Sequence, residues 1–233
     1  MGTEVSIATN ATMTGGYFSA PKAGKGPGVL VLQEWWGLVP HIRQVCDRLA
    51  EAGFAALAPD LYHGETGKSP DDAGRLMMAL DIERTAKDLH GAIRHLLSSG
   101  RASGDKVGIV GFCMGGQLAL YAASKLPEIG VCVDLYGIHP KVKPEYSRIR
   151  CPVIGIFAEK DPFVGPDMAR ALEKDLKDHG VKTDFTVFPG VTHAFFNDSR
   201  PEVYHKETAQ KAWEKMIGSF RYFLKEPISQ AKY

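Results

Sequence analysis

Short apolar runs alternate with longer amphipathic stretches along this chain, regularly enough to name elements. Residues 29–33, 55–58, 106–110, 131–135, 153–157 and 183–188 are brief runs rich in Val, Ile, Leu, Ala and Phe, as expected of strands buried on both faces. Helical patterns fill the gaps at 39–52 (closed by Gly53), 70–80, 82–99, 117–125, 166–178 and 201–224. In the 82–99 stretch Ala86, Leu89, Ile93, Leu96 and Leu97 share one stripe, the face that should pack on a sheet. Segments 5–8 and 13–20 are candidates for extra, antiparallel N-terminal strands. Strands separated by helices predict an α/β fold with a mostly parallel central sheet covered on both faces. No repeat, low-complexity tract or long linker interrupts the pattern, so residues 1–233 read as a single domain.

Composition narrows the partners. Residues are 44% hydrophobic and 24% charged, with a net charge of +1, so neither nucleic acid nor an anionic membrane is expected as a partner. No run approaches the ~20 apolar residues of a membrane span, and the first residues lack the basic-then-apolar pattern of a secretory signal. Cys46, Cys113, Cys132 and Cys151 are scattered, without metal-ligand spacing. That usage fits a reducing cytoplasm, and no metal is expected.

In open parallel sheets functional groups gather beyond the C-terminal strand ends. The residues there form a set: Glu34, Cys113, Asp161 and His193. Cys113 lies in Gly111-Phe112-Cys113-Met114-Gly115-Gly116, after a turn at 103–105, a β-branched strand, and before an Ala- and Leu-rich helix. This is the Gly-x-nucleophile-x-Gly elbow of α/β-hydrolases with cysteine in place of serine. A strained backbone at the nucleophile demands small neighbours, and the helix N-terminus favours a thiolate and a developing oxyanion. The alternative is an inert structural cysteine in a Gly-rich turn.

The order Cys113, Asp161, His193 is that of a hydrolase triad. His193 would take the thiol proton and later activate water, with Asp161 fixing its tautomer. Asp134, at the end of the strand after the elbow, is the rival acid, and the Lys-Asp-Pro loop around Asp161 also reads as a plain turn. His41, His63, His90, His95, His139, His179 and His205 read as solvated surface groups. Glu34, in Gln33-Glu34-Trp35-Trp36-Gly37, is costly at a strand end unless paired or functional. The backbone N–H groups of Trp35 and Met114 are candidates for the oxyanion hole, and the two tryptophans also read as core packing.

Gln33-Glu34-Trp35-Trp36-Gly37, Pro59-Asp60-Leu61-Tyr62, Gly108 to Gly116, the Asp161 loop and His193-Ala194-Phe195 together resemble the dienelactone hydrolase family, from about Gly15 to Leu224. The resemblance implies an α/β-hydrolase fold without a large cap, and a Cys-His-Asp triad. It further implies hydrolysis of lactones and esters through a thioester, with carboxymethylenebutenolidase as the reference activity. It also implies that Glu34 interacts with the resting cysteine, and that substrate swings the thiol inward.

The chain departs from the degradative members, which hold the substrate carboxylate with arginines. Asn197 stands where one of these lies, and Pro70 or Asp71 near the other. Arg75 is the nearby substitute, Arg200 a second, and Tyr62, Trp36 and Phe195 are further pocket candidates. The expected function is a cysteine-dependent hydrolase of a small-molecule lactone or ester, without cofactor. A short-chain carboxylesterase or thioesterase with little dienelactone activity is the near alternative. A non-catalytic thiol-sensing protein on the same fold is the distant one.

Overall fold

A computed structural model describes residues 1–9 and 12–224. The elements run β1 (Thr3–Ala8), β2 (Met13–Ser19), β3 (Gly26–Leu32), α1 (Pro40–Glu51), β4 (Ala55–Pro59), α2 (Pro70–Ala79), α3 (Ile82–Ser98), β5 (Ala102–Phe112), α4 (Met114–Lys125), β6 (Ile129–Leu135), β7 (Val153–Ala158), α5 (Pro166–Asp178), β8 (Thr183–Phe188) and α6 (Lys206–Phe223). The strands form one eight-stranded sheet in the order β1-β2-β4-β3-β5-β6-β7-β8. β1 pairs antiparallel with β2, and β2 with β4; the remaining pairs are parallel.

Alternation along the strands divides the apolar residues between two layers. Val29, Val31, Val110 and Val133 face Ile42, Leu49, Trp213 and Phe220, so α1 and α6 cover this side. Leu30, Leu32, Ile109 and Cys132 face Leu89, Ile93, Leu118 and Leu176, so α3, α4 and α5 cover the other. Strands sandwiched this way need apolar residues at every position, as their sequences show. The whole is an α/β-hydrolase fold. The connection from β6 to β7 holds only a short 3-10 turn, Tyr146–Arg148, and no cap is inserted there.

Three local differences from the sequence pattern have physical causes. The expected turn at 103–105 is a bulge inside β5: the pairing with β3 jumps from Pro27↔Ser103 to Gly28↔Val107, with Gly104 at φ +76° absorbing the kink. The last helix starts at Lys206 rather than near Pro201, capped by His205, whose Nδ1 accepts from the Thr208 N–H at 3.3 Å. The buried stripe of α3 takes in Thr85 and Asp88, and Asp88 is compensated by His63 Nε2 at 2.9 Å.

The chain reverses direction across the sheet between β3 and β5, which lead to β4 on one side and β6 on the other. Such a switch point opens a crevice beyond the strand ends. Glu34 follows β3 there, and Cys113 follows β5.

Candidate active site

Cys113 occupies the single residue between β5 and α4, at φ 54° and ψ −118°. A left-handed φ at a non-glycine residue costs on the order of 1–3 kcal/mol and must be imposed by its surroundings. Here the Cys113 N–H donates to Leu135 O at 3.0 Å, while its carbonyl accepts from Gly116 and Ile138 at 2.9 and 3.1 Å. The glycines are required by close approach. A Cβ on Gly111 would overlap the Gly115 carbonyl, and one on Gly116 would run into Asp134 Oδ1. A Cβ on Gly115 would lie 2.5 and 2.6 Å from the carbonyl oxygens of Leu32 and Gln33, so the start of α4 is pressed against the end of β3. That contact seats Gly115, the residue after Met114, against the carbonyls two and three residues before Trp35. Among the described residues neither the Met114 nor the Trp35 N–H has a protein acceptor.

Asp161 and His193 are drawn together from two loops beyond β7 and β8. The His193 Nδ1–H donates to Asp161 Oδ2 at 2.7 Å, and Asp161 Oδ1 accepts from the Phe163 and Val164 amides at 2.8 and 3.0 Å. Burial opposes ionisation of Asp161, but His193 and the two amides hold its pKa below the usual carboxylate range. Burial likewise disfavours the His193 imidazolium. Hydrogen bonding to Asp161 and to the Cys113 sulfur outweighs it and raises the pKa to about 10. The bond to Asp161 therefore readies the imidazole to hold a proton.

Asp134 stands apart from this pair. It lies fully buried behind the elbow against Gly116 and Gly137, where the Gly137 N–H favours its charged form weakly and neither oxygen has a well-formed hydrogen bond among the described residues. Burial raises its pKa to about 7, leaving a carboxyl that is half protonated near neutrality.

Glu34 is 1% exposed. Asn197 Nδ2–H donates to its Oε2 at 2.8 Å, while Oε1 has no partner among the described residues. The resemblance implies an interaction between Glu34 and the resting cysteine; the hydrogen-bond partner found for Glu34 among the described residues is Asn197. Tyr136 completes the cluster, and the sequence reading missed it. Its φ is +42°, its ring packs 4.9 Å from that of His193, and its hydroxyl is buried without a well-formed hydrogen bond. Burial, with the charges of Glu34, Cys113 and Asp161, pushes that phenol well above its ordinary range. The strand-end rule that found Glu34 could have found Tyr136, one residue past β6.

A pocket of about 780 Å³ opens onto Cys113 and His193, with the Trp35 ring, Ile138 and Phe163 in its walls. Most of the expected pocket set does not line it. Tyr62 is buried on the far side of the elbow, its hydroxyl donating to Met114 Sδ at 3.1 Å. Phe195 is fully buried against Tyr136 and Phe188. Trp36 packs edge-on against Trp35 at 5.2 Å, and Asn197 is committed to Glu34. Arg75 points to solvent from α2, paired with Asp72 at 2.8 Å. Arg200 does reach the pocket.

Two expected surface histidines are interior. His41 is 2% exposed and meets Asp198 at 3.0 Å. His139 donates from Nε2 to Met77 O at 3.1 Å and accepts the Lys141 N–H at Nδ1, also at 3.1 Å. His139 was misread because it falls in a loop folded back onto the sheet, where periodicity carries no signal, and His41 because it sits in the first turn of α1 on the helix's buried face.

All four cysteines are free and buried. The described residues hold no His, Cys, Asp and Glu cluster able to bind a metal, and no helix long and apolar enough to cross a membrane.

Comparison with known proteins agrees with this architecture. The dienelactone hydrolase family profile matches residues 14–224. "Protein usf" of Aquifex pyrophilus is 39% identical over 231 residues, covering 96% of this chain and all of that protein. A "Putative carboxymethylenebutenolidase" of Aquifex aeolicus is 38% identical over 232 residues, covering 97% and 100%. The solved structure of a "Putative Dienelactone Hydrolase" from Klebsiella pneumoniae superposes with a TM-score of 0.86 at 27% identity, covering 95% of this chain and 98% of that one. With sheet, elbow and near full-length similarity in agreement, the chain belongs to the dienelactone hydrolase family and is a hydrolase of carboxylic esters.

Proposed function

We propose that the chain acts as one catalytic domain that hydrolyses lactones and carboxylic esters through an acyl-thioester on Cys113. The observation that carries this reading is the 2.7 Å bond between His193 and Asp161 beside a strained elbow cysteine. Cys113 Sγ attacks the carbonyl carbon, and its proton passes to His193 Nε2. Asp161 holds the imidazole tautomer and offsets the charge of the imidazolium. The tetrahedral oxyanion takes the amides of Trp35 and Met114 as donors, supported by the N-terminus of α4. Collapse breaks the C–O bond, and His193 returns the proton to the departing oxygen. In a lactone that oxygen stays tethered, so ring opening leaves a hydroxyacyl-thioester. Water, deprotonated by His193, then attacks the thioester, releasing the acid and restoring the thiol.

Glu34, positioned by Asn197, adds negative charge beside the thiol. In this reading that charge keeps the thiol neutral in the resting enzyme, and the thiolate–imidazolium pair forms only once substrate is bound. The four free cysteines suit a reducing cytoplasm, where we place the protein.

A second reading, a carboxylesterase or thioesterase with little dienelactone activity, is favoured by one observation. Asn197 is bound to Glu34 and Arg75 to Asp72, so neither supplies the anchor a substrate carboxylate needs. Steady-state hydrolysis of dienelactone and p-nitrophenyl acetate by the wild type and Cys113→Ala tests both. Dienelactone turnover lost in the variant supports the lactonase. Loss confined to the simple ester supports the second reading. Turnover untouched by the variant rejects Cys113 as nucleophile; no turnover of either substrate leaves a narrow-specificity hydrolase or a thiol sensor, and iodoacetamide should label a sensor rapidly without ligand.

A further inference from the structure

The pocket over Cys113 and His193 is large for a compact lactone. At about 780 Å³ it falls in the range that encloses drug-sized ligands. Its walls are apolar and come from separate parts of the chain: Met77 in α2, Ile138 and Val142 after β6, and Phe163 and Met168 around the start of α5. Phe163 and Met168 stand at 57% and 53% exposure, although large apolar side chains at one site mark a surface that meets an apolar partner.

Two of the polar side chains in the lining are already committed. Gln117 Nε2–H donates to Val142 O at 3.3 Å, and both His139 nitrogens are bonded. Of the lining cations, Arg200 is held by Glu202 at 2.8 Å, and Lys143 lies exposed. Neither lining cation is therefore a buried anchor for a substrate carboxylate. The acyl group stays attached to Cys113 through both half-reactions, so it is the part of the substrate that these walls contact throughout.

We propose that this site selects neutral esters with a long apolar acyl group, of about octanoyl size, over short acyl esters and small charged lactones. The inference rests on the hydrolase reading above and narrows its substrate class. Apolar contact made equally in the ground and transition states lowers KM, so the preference should appear there.

The test compares kcat/KM for p-nitrophenyl acetate, p-nitrophenyl octanoate and dienelactone, in the wild type, Cys113→Ala and Met168→Asp. Met168 is exposed, so its substitution leaves the core intact. The expected result is an octanoate kcat/KM at least about tenfold above acetate, carried by KM. Met168→Asp should cut the octanoate-to-acetate ratio several-fold. Cys113-dependent turnover that falls with acyl length, or that is highest on dienelactone, overturns the inference and leaves the hydrolase reading standing. An unchanged ratio in Met168→Asp also overturns it. No Cys113-dependent turnover of any of the three overturns both.

Discussion

Asn197 holds the buried glutamate, and replacing it by aspartate exchanges one NH2 for an oxygen at a side chain only 1% exposed. Its acceptor atom keeps its partners, because the Ser199 N–H and Oγ–H donate to Oδ1 at 3.0 and 2.6 Å. The other atom then faces Glu34 Oε2 from 2.8 Å, oxygen against oxygen. Two unit charges at that spacing repel by about 6 kcal/mol at an effective dielectric constant of ~20. Supplying one proton for the two carboxyls to share costs about 4 kcal/mol near pH 7, reckoned from the reference carboxyl pKa of about 4. Proton capture is the cheaper route, so Asn197→Asp should lose about 4 kcal/mol at neutral pH. It should lose little at about pH 4.5, where the shared proton is readily supplied. For a chain of this length the neutral-pH loss lowers Tm by roughly 8–16 °C. Thermal unfolding followed by circular dichroism at both pH values, for wild type and variant, reads the difference. An equal drop at both pH values, or none at either, would refute the view that Asn197 steadies an ionised Glu34.

Other buried groups make separate predictions. Because the folded state raises the Asp134 pKa from 3.8 to about 7, the stability linked to this group is lost as pH rises between those values. Asp134→Asn should therefore exceed wild-type stability by up to about 4 kcal/mol above pH 7 and match it near pH 4; urea unfolding with the same gain at both pH values would contradict this. The raised His193 pKa stabilises the fold fully below its ordinary 6.5, and that contribution disappears as pH climbs through about 10. Asp161→Asn should lower the His193 titration measured by NMR and cut ester turnover roughly 10³-fold; an unmoved titration would separate the two residues. Glu34→Gln keeps an acceptor for Asn197, so Tm should hold within a few degrees while turnover falls at least about tenfold. Undiminished turnover would remove Glu34 from the mechanism.

Much of the architecture was legible because it depends on periodicity and on strand ends. The six central strands need unbroken apolar runs, and helices such as α5 show their faces directly. Cys113, Asp161, His193 and Glu34 were found by one rule, that polar residues past the C-terminal ends of strands share a crevice. The rule fails where a loop folds back. His139 looked solvent-exposed in sequence, yet its Nε2 ties the pocket wall to Met77 O in α2 while its Nδ1 holds the Lys141 N–H of its own loop. Tyr62, Phe195 and Arg75 are correctly placed near the crevice along the chain, but their side chains point into the core or to solvent, and side-chain direction in a loop has no period to read. The turn expected at 103–105 contains the right residues for a turn, and the sheet uses them as a bulge because β3 continues to pair beyond it.

The central claim is that Cys113 becomes acylated. Intact-protein mass spectrometry on samples quenched in acid within the first turnovers of p-nitrophenyl octanoate tests it directly. The account predicts one added octanoyl mass, mapped by proteolysis to the peptide carrying Cys113, removed by hydroxylamine and absent from Cys113→Ala. Acylation at another residue, or wild-type turnover persisting in Cys113→Ala, would contradict it.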